Sequence, residues 1–403
     1  MEGFIEQFGI EYEVIFGFRN EKNADDWKQY TYCFEDDHRQ KAFVLATIAD
    51  KLQKSTNTFQ WCVNLKEIPI EYENEIPTVI PISDDTDYQH YCAITRNASV
   101  EKQPRNKYIN NIELVSKILK VEDLERDIRD FFNNIAKLSK SKLPIPKPLQ
   151  INSQCLQAFS IVEQHNETTS QHVHFSFPIV DQNTKHLEML KRLCISWLFA
   201  EPIFTSMCQR HRWNNDYCSR MYDILGFSDP SNKDKLHKLI ELDVSQMTIE
   251  DIVQTFQPYN DSPDIGRYAA LNLLNLTKAN INQRTIEVRI KEGDPDVDKM
   301  IVWVNLLAIF FKKSLTDQFA DSQDIIQRQS LAMSATLGTG IVGDSEEFHD
   351  LFEAFEAFIG FKSDDKNMQY KQYIHKNYVP STSISGGKCT RRAITRKLLK
   401  DNA

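Results

Sequence analysis

The chain has 403 residues and a mass of 46.9 kDa, room for one large domain or two ordinary ones with a substantial core. Apolar residues at 41% and charged residues at 26% exclude disorder over most of its length. A formal charge of −9 and a pI of about 5.7 exclude a nucleic-acid binder built on a globally basic surface, and no apolar run reaches the roughly 20 residues of a membrane span.

In chain order, residues 8–16 alternate as a strand, with Ile10, Tyr12 and Val14 on one face and Glu11 and Glu13 on the other. Residues 41–54 read as a helix, and 59–63, 88–94 and 111–115 as short strands. Leu124, Ile128, Phe131, Ile135 and Leu138 form the apolar stripe of an amphipathic helix over 121–138. Residues 142–148 (KLPIPKP) read as a Pro-rich linker. Strand alternation returns at 170–180, and 187–208 is a long, buried helix. Thr248 and Asp251 form a capping-box pattern. Residues 284–290 are a strand, Asp294 and Pro295 start a helix that runs to about Leu315, and a last helix over 346–359 stops at Gly360.

Residues 1–375 are expected to form the catalytic domain and 376–403 a flexible tail. That tail gathers Lys376, Lys388, Arg391, Arg392, Arg396, Lys397 and Lys400 against Asp401 and is expected to be solvated, with contact to a nucleic acid or an acidic partner as the weaker alternative. Eight cysteines without a CxxC pair, and no signal peptide after Met1, point to reduced thiols and a cytoplasmic location. Gly338, Gly340 and Gly343 fit G-x-G-x-x-G. They follow a polar, helix-like stretch instead of an apolar strand, so they read as a glycine loop and not as a dinucleotide site.

Three strands carry ionisable groups on one face. Glu11 and Glu13 lie two residues apart, so both carboxylates point the same way. Like charges so close repel, and a hard cation such as Mg2+ or Mn2+ relieves this. His172 and His174 share a strand face opposite Val173 and Phe175, a spacing that suits a metal or a phosphate. Glu287 and Arg289 share another, opposite Ile286, Val288 and Ile290. Each pattern alone also describes an ordinary solvated strand face or a structural ion pair. Together they are what a sheet needs to line a metal–phosphate cleft.

The ordered set resembles the amidoligase family of the carboxylate–amine ligase superfamily, which shares the glutamine synthetase catalytic fold. The G-x-E-x-E strand is Gly9, Glu11 and Glu13, and the E-x-x-S segment is Glu113 to Ser116. The G-L-H-V-H strand corresponds to Ser170 to His174, with Ser170 in place of glycine and Gln171 in place of leucine. R-x-x-N-x-Y-C is similar to Arg212, Asn215, Tyr217 and Cys218. R-Y-x-x-x-N-L is similar to Arg267, Tyr268, Asn272 and Leu273, and T-I-E-x-R to Thr285 to Arg289. The family's D-G-S stretch has its nearest match at Asn97 to Ser99, where Asn replaces Asp.

The resemblance implies an α+β fold with a curved antiparallel sheet and helices packed on its outer face. It implies an ATP- and Mg2+- (or Mn2+-) dependent ligase that joins a small-molecule or peptide carboxylate to an amine through an acyl phosphate. Glu11, Glu13, Glu113, His172 and Glu287 would hold the metals. His174, Asn215 and Asn272 would bind the nucleotide side. Arg289 and Arg267 would stabilise the transferring phosphoryl group, and Arg212 would shape the substrate side. The alternatives are a guanidino-type phosphotransferase on the same scaffold, or a non-catalytic nucleotide- or peptide-binding relative.

Overall fold

The computed structural model describes residues 3–19, 38–55, 58–64, 80–82, 90–96, 109–139, 142–144, 158–164, 169–212, 215–227, 233–258, 268–317 and 346–360. Arg267, Asn97, the Gly338–Gly343 loop and the basic tail lie outside them. The chain divides into two compact units, Met1–Pro178 with Thr285–Asn305, and Ile179–Arg284 with Leu306–Ala403. The class is α+β, with a mostly antiparallel open sheet and helices.

The first unit is built on the sheet. In chain order its elements are β1 (Gln7–Arg19), α1 (His38–Ser55), β2 (Gln60–Asn64), β3 (Ile80–Ile82), β4 (Tyr91–Arg96), β5 (Ile109–Val115), β6 (Leu119–Lys120) and α2 (Leu124–Ser139). β7 (Lys142–Pro144), β8 (Ala158–Gln164) and β9 (Ser170–Ser176) follow. β1 is central: β9 pairs with its first half and β8 with its second, both antiparallel, while β5 pairs along its other edge. Beyond β5 lie β4, β2 and β3, and the last two of these pairings are parallel. The later strand Thr285–Glu292 (β11 below) pairs antiparallel with β9.

One face of this sheet is the core. Ile10, Tyr12 and Val14 are fully buried, and Tyr12 packs edge-on against Phe132 of α2, ring centres 4.9 Å apart. Phe131, next in α2, stacks on Trp61 of β2 at 5.8 Å and meets Phe59 at 6.1 Å. Because α2 covers the apolar face, the alternate residues of β1 must face the other way. We expect Phe131→Ala to cost about 3–5 kcal/mol, since it empties a fully buried ring site at a three-ring junction. Urea denaturation measures it, and a loss below about 1 kcal/mol would mean that the neighbouring rings collapse into the space.

The second unit holds α3 (Thr184–Ser206), α4 (Met221–Ile224), α5 (Lys233–Ile240), α6 (Ile249–Phe256) and the short β10 (Leu271–Asn272). β11 (Thr285–Glu292) then returns to the first unit, and α7 (Val297–Thr316) and α8 (Glu346–Ile359) complete the described chain. Asn183 caps α3 by accepting from the His186 amide. Trp197 and Phe204 of α3 stack at 5.0 Å, and Phe204 also meets Phe310 of α7 and Phe355 of α8. The capping box at Thr248 and Asp251 is formed, and Gly360 ends α8 at φ +69°, a conformation in which a Cβ is strained.

Two expectations from the sequence need correction. Residues 142–148 are not simply a linker, because Lys142–Pro144 is strand β7, paired with β8. Proline is tolerated there since it closes a short strand end. The helix after β11 begins at Val297 and not at Asp294. Asp296 accepts from the amides of Asp298 and Lys299, whereas Asp294 accepts from the Asp296 amide and holds Lys299 at 2.6 Å.

Candidate metal centre

The polar face of the sheet is assembled by strand register. Glu13 lies opposite Glu113, Glu11 opposite His172, and His174 opposite both Gly9 and Glu287. Four strands therefore bring Glu11, Glu13, Glu113, Glu287, His172, His174 and Arg289 together. Ser116, the last residue of the E-x-x-S segment, has a backbone role: its hydroxyl accepts from the Ile10 amide at 2.9 Å and donates to the Lys117 carbonyl. Gly9 adds no side chain beside His174. A Cβ there would come no nearer than 3.9 Å to Ser116 Oγ, so the glycine leaves open space instead of avoiding a clash.

Glu11 is the hub. His174 Nε2 lies 2.8 Å from one of its oxygens and His172 Nδ1 2.9 Å from the other. Glu287 Oε1 lies 3.4 Å from His172 Nδ1, 3.7 Å from His174 Nε2 and 2.5 Å from Arg289 Nη1. Two groups of donor atoms fall close enough to share one ion: Glu11, His174 and Glu287, and Glu11, Glu113 and His172. His174, expected on the nucleotide side, thus stands among the candidate metal donors.

The electrostatics follow from burial and crowding. Burial raises the Glu11 carboxyl, but the His174 and His172 rings outweigh it and hold the group well below the ordinary carboxylate range. Glu287 is likewise pushed up by burial and held low, chiefly by Arg289. Burial opposes the charge on His174, but Glu11 and Glu287 raise it nonetheless. Glu113 is compensated only in part, by Arg289. Burial and then the Glu11 and Glu13 carboxylates drive it well above the usual range. The cluster thus holds more carboxylate than its own cations neutralise, and its donors are oxygens plus imidazole nitrogen. Carboxylate oxygens suit Mg2+ or Mn2+ and imidazole nitrogens suit Zn2+ or Fe2+, so the set fits a divalent cation without selecting one.

Two neighbours were missed by sequence reasoning. Ser170 donates its hydroxyl proton to Glu13 and lies 2.7 Å from His172 Nε2. Glu292 is in register with Ser170 because β11 contains a bulge between Val288 and Lys291. Simple alternation instead puts Lys291 on the Glu287 face. The only sequence signal for Ser170 was its departure from the resembled pattern, and nothing local signalled the bulge.

Arg212, Asn215 and Asn272 belong to the second unit. Arg212 is buried, and Asn215 accepts from the Tyr217 amide at 2.8 Å. Asn272 accepts from Gln257 Nε2 and the Leu274 amide. A bridge between Ser219 and Ala269, with Tyr217 packed edge-on against Tyr268, brings these two motif segments together. Nearby, Glu201 accepts from Trp197 Nε1 and from the amides of Met221 and Tyr222, fixing the start of α4.

Burial pushes the Glu201 carboxyl up to about 7 against the pull of those amides. A carboxyl raised in the folded state gives stability that is complete below its unfolded value and is lost as pH rises through the folded one. We therefore expect wild type to lose roughly 3 kcal/mol relative to Glu201→Gln between pH 4.5 and 7. Urea denaturation at several pH values checks this, and a difference independent of pH would contradict it.

In comparisons with known proteins, no family model and no curated sequence matches this chain.

Proposed function

We propose that this chain is an ATP- and Mg2+-dependent ligase that joins a carboxylate to an amine, on a curved glutamine synthetase-like sheet. The observation that carries the reading is the convergence of four carboxylates, two imidazoles and one guanidinium from β1, β5, β9 and β11 on one sheet face. Glu11 with Glu113 and His172, and Glu11 with His174 and Glu287, would hold the metal ions. Glu13 would support the first group through Ser170.

When bound, ATP with its metal ions supplies an activated phosphoryl group and neutralises its oxygens. The residues of the chain do the rest. Glu287 orients Arg289, whose guanidinium is mostly shielded from water, where its charge acts strongly on an oxyanion. Exclusion of water from this face would protect an activated carboxylate from hydrolysis in favour of attack by an amine.

The test is calorimetry of ATP binding with and without Mg2+, followed by ADP release over a screen of amines and carboxylates. Mg2+-dependent binding and amine-dependent ADP release with an amide product are expected. A phosphorylated amine would identify a kinase instead. Absence of nucleotide binding would point to a non-catalytic relative.

A further inference from the structure

We infer that Ser170 is a positioning residue that fixes which nitrogen of His172 faces the metal, an inference that rests on the metal reading above. A serine hydroxyl carries one proton. Glu13 Oε2 receives it. The serine oxygen is left to accept, and the group 2.7 Å from it is His172 Nε2. His172 Nε2 is therefore held by Ser170, and Nδ1 is left as the nitrogen that faces Glu11 and the candidate metal position.

Nδ1 points at the hub. It lies 2.9 Å from Glu11 Oε2 and 3.4 Å from Glu287 Oε1. Among acceptors so arranged a cation must sit, or a proton in its place. A ligating histidine held through its other ring nitrogen is a general device for fixing the ring and strengthening the donor. Here the link runs from His172 Nε2 through Ser170 to Glu13, and all three residues are buried. The resembled pattern has glycine at this place and no side chain to make the link.

The experiment uses the full chain and Mn2+ as the probe, with Ser170→Ala, Ser170→Gly and Ser170→Thr. Free Mn2+ is measured by its electron paramagnetic resonance signal, and bound Mn2+ by pulsed resonance, which detects imidazole nitrogen on the ion. Ser170→Ala and Ser170→Gly are expected to lose affinity by about 10–100-fold and to show a shallower nitrogen modulation. Ser170→Thr, which keeps the hydroxyl, should preserve both. Circular dichroism establishes that the fold is retained, and loss of packing alone would not separate threonine from alanine in the nitrogen signal. Mn2+ bound by wild type with unchanged or tighter affinity in Ser170→Ala and Ser170→Gly, and the same modulation, overturns the inference and leaves the metal reading standing. No Mn2+ binding by wild type overturns both.

Discussion

In Glu11→Ala/Glu287→Ala, Mg2+-dependent ATP binding should disappear while the far-ultraviolet circular dichroism stays that of wild type. Glu11 stands in both groups of candidate donors and Glu287 in one, so the double substitution takes two carboxylates from one group and one from the other. Loss of residues that merely support a ligand costs about 10–100-fold in metal affinity, and loss of two ligands should exceed that for each. The substitutions cost Arg289 its Glu287 partner, but Glu13 and Glu113 still face its charge, and the apolar face keeps Ile10, Tyr12, Val14 and Val288 buried, so the fold should survive with reduced stability. Calorimetry with and without Mg2+ reads the effect. Retained Mg2+-dependent binding would place the nucleotide elsewhere.

Arg289→Met should destabilise the metal-free protein by about 3–5 kcal/mol. Arg289 and Glu287 are a buried pair, Nη1 to Oε1 2.5 Å, with only 10% and 4% of their side chains exposed. Removing the guanidinium leaves Glu287 charged in a face that already holds Glu11, Glu13 and Glu113. The methionine fills similar volume, so the loss is electrostatic more than steric. Divalent cation should therefore raise the melting temperature of Arg289→Met more than that of wild type, because it replaces the missing positive charge. Thermal denaturation in Mg2+ and in chelator measures both numbers. A loss under about 1 kcal/mol, or equal Mg2+ effects in the two proteins, would show that Arg289 does not neutralise this face.

Much of the candidate site was legible because strand side chains alternate with a period of two. That rule alone put Glu11 with Glu13, His172 with His174, and Glu287 with Arg289, each opposite an apolar set that is indeed buried. The capping box at Thr248 and the glycine stop at Gly360 are equally local, set by residues three or four apart. Helix starts were read less well. Asp294, Asp296 and Asp298 all qualify as caps by type, and only backbone geometry selects Asp296.

Which strand lies beside which is a different matter, since it depends on contacts between residues a hundred or more positions apart. The pairing of Glu13 with Glu113, of Glu11 with His172, and of His174 with Glu287 came from the register of β1, β5, β9 and β11. The bulge after Val288 reverses the alternation and sets Glu292, not Lys291, opposite Ser170. The Ser170 link between Glu13 and His172 exists only because β1 and β9 are neighbours. Side-chain type and short-range period thus determined which residues share a face. Long-range strand pairing decided which of them meet, because cross-strand distance is a property of the folded sheet and of no single segment.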